Sequence, residues 1–398
     1  MKKYLIIIFC LIVASCSNNV KKIGNDKHGD YVSTHKLVII KEKKFALDSI
    51  SASKPTYIQM LYDTNGKRIF STLNRYKNSI YLYDYNNSEF LENISFDREG
   101  PHGVLGITGY YIKNTDSIYL YNRPLVEIAI ANSKGLVKNR ISLKGKQDKD
   151  WSRYYPQYEF STICPIIENS GTLLLTGFNP FELRDSLIDK FYFTASVNIN
   201  NNEVVYHHNY PREIFGNDAN WGDPAYMQVF PALSPSGEFI HSFPPSHNLY
   251  ISDKNSTSTR VVYGGSSDSK AINSIDWDAT NSTHMPRELL ISHILQQDLY
   301  SGILYDSWRK VYYRFMLKGI PYATTKNEMS EKNIIIIILD EHFNYLGEEN
   351  IGNGKIWNWN NSFVTQEGLN IEYIDIDDLE EYYLNFKIFK IEKHEEVN

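Results

Sequence analysis

The side chains best suited to hold a ligand lie in the long polar stretches of this 398-residue chain. Trp151, Trp221, Trp357 and Trp359 fall there, with Arg98, Glu99, His102, Arg153 and Asp223 in the same or equivalent stretches. An indole ring offers a sugar or a peptide a broad apolar contact at small entropic cost, and a charged or imidazole group beside it fixes orientation. Trp277, Tyr154, Tyr155, Arg212, Asp276 and Asp278 extend the set. Two readings stay open for the tryptophans: a binding platform, or lids over the core beneath long loops.

Catalytic signatures are missing from the sequence. There is no Gly-x-Ser-x-Gly elbow, no His-Glu-x-x-His, no P-loop and no Gly-x-Gly-x-x-Gly, so no catalytic residue, metal or cofactor is assigned. His207 and His208 are adjacent, and neighbours on a strand point to opposite faces, which makes a poor chelate. The acidic run from Asp375 to Glu381 lacks the glycine of a calcium loop and reads as a solvated segment. Arg309 and Arg314 flank Tyr312 and Tyr313. They could clamp an anion, but the expected role is to tie neighbouring sheets together through backbone carbonyls and Asp306. The pattern favours a binding protein for a glycan, peptide or protein partner. The alternative is an envelope polysaccharide hydrolase or lyase whose carboxylates are assembled from distant segments. A purely structural envelope protein is the third reading.

These groups need a scaffold of strands. Tyr and Phe are abundant, at 30 and 19 residues, which favours β-structure. Ser95 to Leu143 holds short apolar-aromatic runs parted by turn signals at Gly106, Asn114–Ser117, Asn122–Pro124 and Asn132–Gly135. Tyr57 to Phe96 repeats the rhythm, with Asn65-Gly66 as a hairpin signal. SIYLYD at Ser79–Asp84 is echoed by SIYLYN at Ser117–Asn122, third strand in one unit and second in the next. Further units follow: one from FSTICPII (Phe160–Ile167) to His208, one from Met227 to Gly264, and one from Ile303 through the continuous run Ile334–Leu339, which reads as an inner strand. The last unit lacks one strand, and His35–Glu42 is spare. The expected fold is all-β: a six-bladed β-propeller of four-stranded antiparallel blades, closed by the N-terminal strand joining the last blade. One helix is inserted near 286–299, where Leu289, Leu290, Ile294, Leu295 and Leu299 keep helical spacing after Pro286. In that architecture the outer-to-inner connections are 97–106, 144–159, 209–226, 265–301 and 350–360. They share one face and hold five of the six tryptophans, all but Trp308.

The N-terminus gives an address. Lys2 and Lys3, an apolar run from Tyr4 to Val13 and small residues form a secretory signal too short to span a bilayer. LIVASC resembles the bacterial lipobox, which implies cleavage before Cys16 and its acylation. Residues 1–15 are then a lipoprotein signal peptide, 16–34 a flexible tether and 35–398 a single propeller domain. The implied partner is a membrane, through the lipid on Cys16. Ser17 after the cysteine resembles an outer-membrane address, and the following SNNVKK has no acidic export run, which favours the periplasmic side over the cell surface. Cys164 is the cysteine left in the domain and reads as a buried small hydrophobe. The net charge of -6, with no basic-aromatic patch, argues against nucleic acid.

Four phrases carry a wider resemblance: FDREGP (Phe96–Pro101), FSTICPII, YDSWRKVYYRF (Tyr305–Phe315) and FVTQEGLNIEY (Phe363–Tyr373). With the lipobox they resemble a family of Bacteroidota lipoproteins of unknown function with a six-bladed propeller. That resemblance implies a fold and a lipid site, and brings no catalytic residues. Asp48-Ser49-Ile50, Asp116-Ser117-Ile118 and Asp185-Ser186-Leu187 also resemble the O-glycosylation signal of secreted Bacteroidota proteins. Ser186 is the best placed of the three, in an expected polar loop; ordinary turn-to-strand chemistry is the other reading.

Overall fold

The structure is a computed structural model that describes residues 20–50, 55–63, 65–144, 154–181, 183–253, 258–277, 285–375 and 382–394. Two strands, β1 (Lys22–Gly24) and β2 (His35–Ala46), precede the first blade. Blade 1 is β3 (Ile58–Tyr62), β4 (Arg68–Asn74), β5 (Ser79–Asp84) and β6 (Phe90–Ser95). Blade 2 is β7 (Ile107–Asn114), β8 (Ser117–Asn122), β9 (Glu127–Ala131) and β10 (Val137–Ser142). Blade 3 is β11 (Ile167–Asn169), β12 (Thr172–Thr176), β13 (Thr194–Asn198) and β14 (Val204–His207), with the short helix α1 (Asp185–Ile188) between its second and third strands. After α2 (Arg212–Phe215), blade 4 is β15 (Phe230–Leu233), β16 (Phe239–Ser242), β17 (Asn248–Ser252) and β18 (Thr259–Tyr263). The next connection carries β19 (Ala271–Asn273) and α3 (Arg287–Gln296). Blade 5 is β20 (Leu299–Asp306), β21 (Val311–Leu317), β22 (Asn333–Asp340) and β23 (Tyr345–Asn353). Blade 6 is β24 (Trp357–Val364), β25 (Leu369–Tyr373) and β26 (Tyr383–Lys393), completed by β2.

The chain is therefore an all-β, six-bladed propeller of four-stranded antiparallel sheets. The strand that closes it is the expected one. β2 pairs with β26 from His35 opposite Lys393 to Ala46 opposite Tyr383, so the last blade is built from both ends of the ring. The echo also falls as read: SIYLYD is β5, a third strand, and SIYLYN is β8, a second strand. Each middle strand is covered by blades on both faces, which suppresses polar alternation. Ile334 to Leu339 are all buried for that reason, although β22 is the third strand of its blade rather than an inner one.

Several expectations change. FSTICPII is not a strand. Its Ser161 and Cys164 form a tight turn, and the first strand of blade 3 begins only at Ile167. The run is apolar because it plugs the ring. Ile163 is fully buried against Gly302 of β20, where a Cβ would sit 2.9 Å from the Ile163 side chain. The expected connection 350–360 shrinks to 354–356, because β23 runs to Asn353 and β24 starts at Trp357; Trp357 and Trp359 are strand residues. The inserted helix ends at Gln296, and Leu299 opens β20. Lys332, itself buried, stops that helix. Its Nζ donates to the carbonyls of Ile294, Leu295 and Gln297 at the helix end, where the Leu295 carbonyl also accepts from Ile320 N.

The segment expected to be a flexible tether is laid on the ring from Lys21 onward. β1 pairs with β19, and Asn25 donates to the carbonyls of Ser266 and Ser269 at 2.9 and 2.6 Å. The Tyr31 ring stacks between Tyr263 and Tyr345, with centroids 5.5 and 4.9 Å away. Docking satisfies backbone groups on both sides and covers the rim between blades 4 and 5.

Arg309 and Arg314 take the tying role. Arg309 pairs with the buried Asp306 at 2.8 Å and reaches the carbonyls of Thr365 and Gln366 in blade 6. Arg314 is fully buried on β21 and crosses to blade 4. It donates to the carbonyls of Ser246, His247 and Gly264 and to Ser242 Oγ at 2.8–3.0 Å, and stacks over Tyr300 at 4.0 Å. Burial pulls its guanidinium down to about 10, so it is charged at neutral pH.

Two stability measurements check this account. Phe45 on β2 stacks on Phe70 of blade 1 at 4.1 Å and meets Phe386 of blade 6 edge-on, with no exposure. Phe45→Ala should cost about 3–5 kcal/mol in urea unfolding, since it opens a cavity at the closing seam; a loss below about 1 kcal/mol would mean that β2 does not seal the ring. Arg314→Met strips partners from three buried carbonyls and should cost roughly 3 kcal/mol or more, with Arg314→Lys recovering part of the loss.

Candidate ligand-binding mouth

Each blade's first strand starts on the face that receives the connection from the preceding outer strand. There, around the ring's axis, lies a cavity of about 410 Å3 bordered by blades 1, 2, 3, 4 and 6. That volume falls within the range of small-molecule sites. Its floor is the plug. Ile163, Cys164 and Phe230 pack together, with Leu304 and Trp359 against them.

A buried polar network holds the plug in place. Thr162 Oγ1 accepts from Ile58 N at 3.0 Å and donates to Asn361 Oδ1 at 2.7 Å. Asn361 in turn donates to the Pro55 carbonyl and to Glu372. Blades 1, 3 and 6 thus meet through hydrogen bonds beneath the cavity, and a buried network of this kind favours one arrangement of the floor.

The walls carry two guanidinium groups, Arg75 and Arg123, and one carboxylate among the described residues, Glu159. Arg123 meets Glu159 at 3.3 Å, with both side chains about half exposed. Arg75 follows β4 and is exposed; no hydrogen bond or ion pair engages its side chain among the described residues. The amides of Gln228, Asn358 and Asn360 and the rings of Tyr158, Phe160 and Phe230 also line the cavity. The Tyr158 hydroxyl has no hydrogen-bond partner, although the residue is only 2% exposed. Burial pushes that phenol well above its ordinary value, so it stays neutral. The arrangement can donate hydrogen bonds to an anion or to hydroxyls and can pack an apolar face. No group of three or more His, Cys, Asp or Glu that could hold a metal ion occurs among the described residues.

The pattern of a family described as "Domain of unknown function (DUF4221)" matches residues 35–350. The chain belongs to that family. A crystal structure of a member from Bacteroides vulgatus superposes with a TM-score of 0.74 at 19% identity, covering 91% of this chain and 99% of that one. A putative exported protein from Bacteroides fragilis gives 0.55 at 12% identity, over 92% and 98% of the two chains. At these identities the likeness is one of fold. No curated protein matches the chain.

In this family member the residues singled out from sequence are spread over the face rather than gathered in one place. Arg98 donates to the carbonyls of Arg75, Tyr76 and Leu105 at 2.8–3.2 Å, so it braces the turn that carries Arg75. His102 Nδ1 bonds the Val137 carbonyl at 3.0 Å, and Glu99 is exposed nearby. Trp357 is 7% exposed and packs on Tyr373 and Phe389, a core residue of blade 6. Trp359 lies under the cavity against Phe230 and Phe315. Trp151 and Arg153 lie outside the described residues, as do Cys16 and Asp278. Trp221 and Asp223 border a second cavity on the same face, about 290 Å3, with Phe181, Trp277 and Met285. There Trp221 is 3% exposed beside Tyr226, and Asp223 caps a short 3-10 turn by accepting from Ala225 N. Arg212 pairs with Asp185 and Asp189, joining α2 to α1, and Ser186 sits exposed in α1 rather than in a loop.

The residues that line the mouth were missed, yet a signal exists. Asn74-Arg75 and Asn122-Arg123 close the second strands of blades 1 and 2 in the same slot. Each asparagine is buried and bonds the backbone of its own turn or the adjoining connection, and each arginine reaches the mouth.

Cys164 offers a check on the floor. Its Sγ faces the carbonyls of Thr176 and Val229 at 3.9 and 3.7 Å, and burial pushes the thiol up to about 12. At pH 8 iodoacetamide should modify Cys164 at least about 100-fold more slowly than a free cysteine, read by mass spectrometry of its peptide. Labelling at the free rate in the native protein would mean that the plug opens.

Proposed function

We propose that this protein is an envelope lipoprotein whose propeller binds a glycan, peptide or protein segment at the central mouth and does no chemistry on it. The observation that carries the reading is the make-up of the cavity: the uncommitted Arg75 guanidinium and the Gln228 and Asn360 amides over aromatic walls, on a floor fixed by a buried network. Its one described carboxylate, Glu159, is held by Arg123. That does not supply the facing pair that glycoside hydrolysis by two carboxylates requires, so binding is favoured over the hydrolase alternative.

Acylation of Cys16 would place the protein at the outer membrane, with the periplasmic side favoured. Two observations are in keeping with an envelope location: one structural neighbour is described as a putative exported protein, and no described helix is long and apolar enough to cross a membrane. Because the arm is docked from Lys21, a lipid on Cys16 would hold the ring within ~17 Å of that point. The second, tryptophan-lined cavity lies on the same face and could extend the contact to a longer ligand.

Asn360 is exposed at the cavity wall, so Asn360→Trp should block the mouth without disturbing the core. On glycan and peptide arrays the wild type should retain ligands that this variant binds at least tenfold more weakly, with its melting temperature little changed. Equal retention by both proteins, or retention of no ligand, would overturn the reading.

A further inference from the structure

The charge of the mouth is opposite to that of the chain around it. The protein carries a net charge of -6, whereas the described ionised groups of the cavity wall are two arginines and one glutamate. We infer that the mouth takes a saccharide bearing a carboxylate, with Arg75 as its main anion contact. This deepens the binding reading above and rests on it.

Four observations support the assignment. First, the Arg75 guanidinium lies at the cavity with no partner among the described residues, while Arg98 pins its turn through two carbonyls, those of Arg75 and Tyr76. A braced turn bearing a free fork of donors suits bidentate capture of a carboxylate. Second, Arg123 is engaged by a single 3.3 Å contact to a half-exposed Glu159. A solvent-exposed ion pair of that kind contributes little, so an incoming carboxylate can share Arg123 at small cost. Third, neutral donors surround the cations. The side-chain amides of Gln228 and Asn360 border the cavity uncommitted, and Thr56 and Ser161 line it with hydroxyls. Amides and hydroxyls match the hydroxyl groups of a sugar, whereas a simple inorganic anion would leave them unused. Fourth, Phe160 and Phe230 give the site an apolar wall for the C–H face of a pyranose ring.

The test uses the mature chain in detergent and calorimetric titration with digalacturonate and with its methyl ester, which has the same hydroxyls and no charge. Wild type should bind the acid at least tenfold more tightly than the ester, and the affinity for the acid should fall as salt rises. Arg75→Gln should lose at least tenfold for the acid while binding the ester as before. Asn360→Trp should lose both. If acid and ester bind alike and both are lost in Asn360→Trp, the mouth reading stands and the carboxylate inference fails. Acid binding unchanged in both variants would sink the two together. Binding of neither saccharide by wild type would overturn the inference, leaving the arrays to decide the mouth reading.

Discussion

A sheet arranged in a ring has no stable form with the ring open. The first and last blades would each present an unpaired face, and the missing strand would leave a row of free N–H and C=O groups on β26. The pairing of β2 with β26 removes that edge and couples the two ends of the chain in one sheet. It also fixes phase. With the outer strand of blade 6 taken from the N-terminus, every later blade must begin at the centre and finish at the rim. All outer-to-inner connections then arrive on one face. The mouth, its plug and the second cavity lie on that face because of a contact made more than 300 residues apart in sequence.

A ring closed at the rim still has an axis to fill. Six inner strands cannot pack on one another at the centre without a gap, and this chain fills the gap with the turn around Ile163. An apolar plug alone would tolerate several positions. The Thr162, Asn361 and Glu372 network removes that freedom, since each buried polar group finds its partner in one arrangement. Towards the rim the same logic operates with charge. Arg314 is buried without a carboxylate among its partners and is held by carbonyls at blade turns, which joins blade 5 to blade 4 more directionally than apolar contact can. Rigidity at floor and rim is what lets loops on the face hold fixed positions.

Much of the fold was legible because blade repetition is a local signal. Turn residues every few positions, tyrosine-rich strands, the spare run His35–Glu42 and the short last unit together implied the count and the closure. Where reading failed, a tertiary demand had overridden the local pattern. FSTICPII is apolar to plug a hole, not to pair in a sheet. Trp357 stands near Gly and Asn, which suggests a loop, yet packs in the core of blade 6. The polar arm before His35 looks like a tether, but Asn25 and Tyr31 find partners on blades 4 and 5 that only the folded ring brings within reach.

The site resisted reading for a different reason. Five blades border the mouth; the stretch from Tyr158 to Cys164 supplies its floor and part of its wall, but the two arginines and the amides come one or two at a time from blades 1, 2, 4 and 6, so no motif gathers them. Of the prominent tryptophans, Trp357 and Trp359 pack in and beneath the ring, while Trp221 and Trp277 border the second cavity. The residues that line the mouth include ordinary ones in a repeated slot: an arginine directly after a buried asparagine at the end of a second strand, in blades 1 and 2. The slot has a physical basis. The Asn74 side chain accepts from Lys77 N in its own turn and the Asn122 side chain from Gly106 N in the adjoining connection, so each fixes the backbone next to its arginine. In blade 3 the same two places are taken by Thr176 and Gly177, with Phe178 next, so the cations lie at blades 1 and 2 and blade 3 contributes uncharged wall there. In a propeller, then, function is read by aligning blades to one another and comparing what each places at the same slot, because the symmetry of the scaffold turns a repeated position into a shared location.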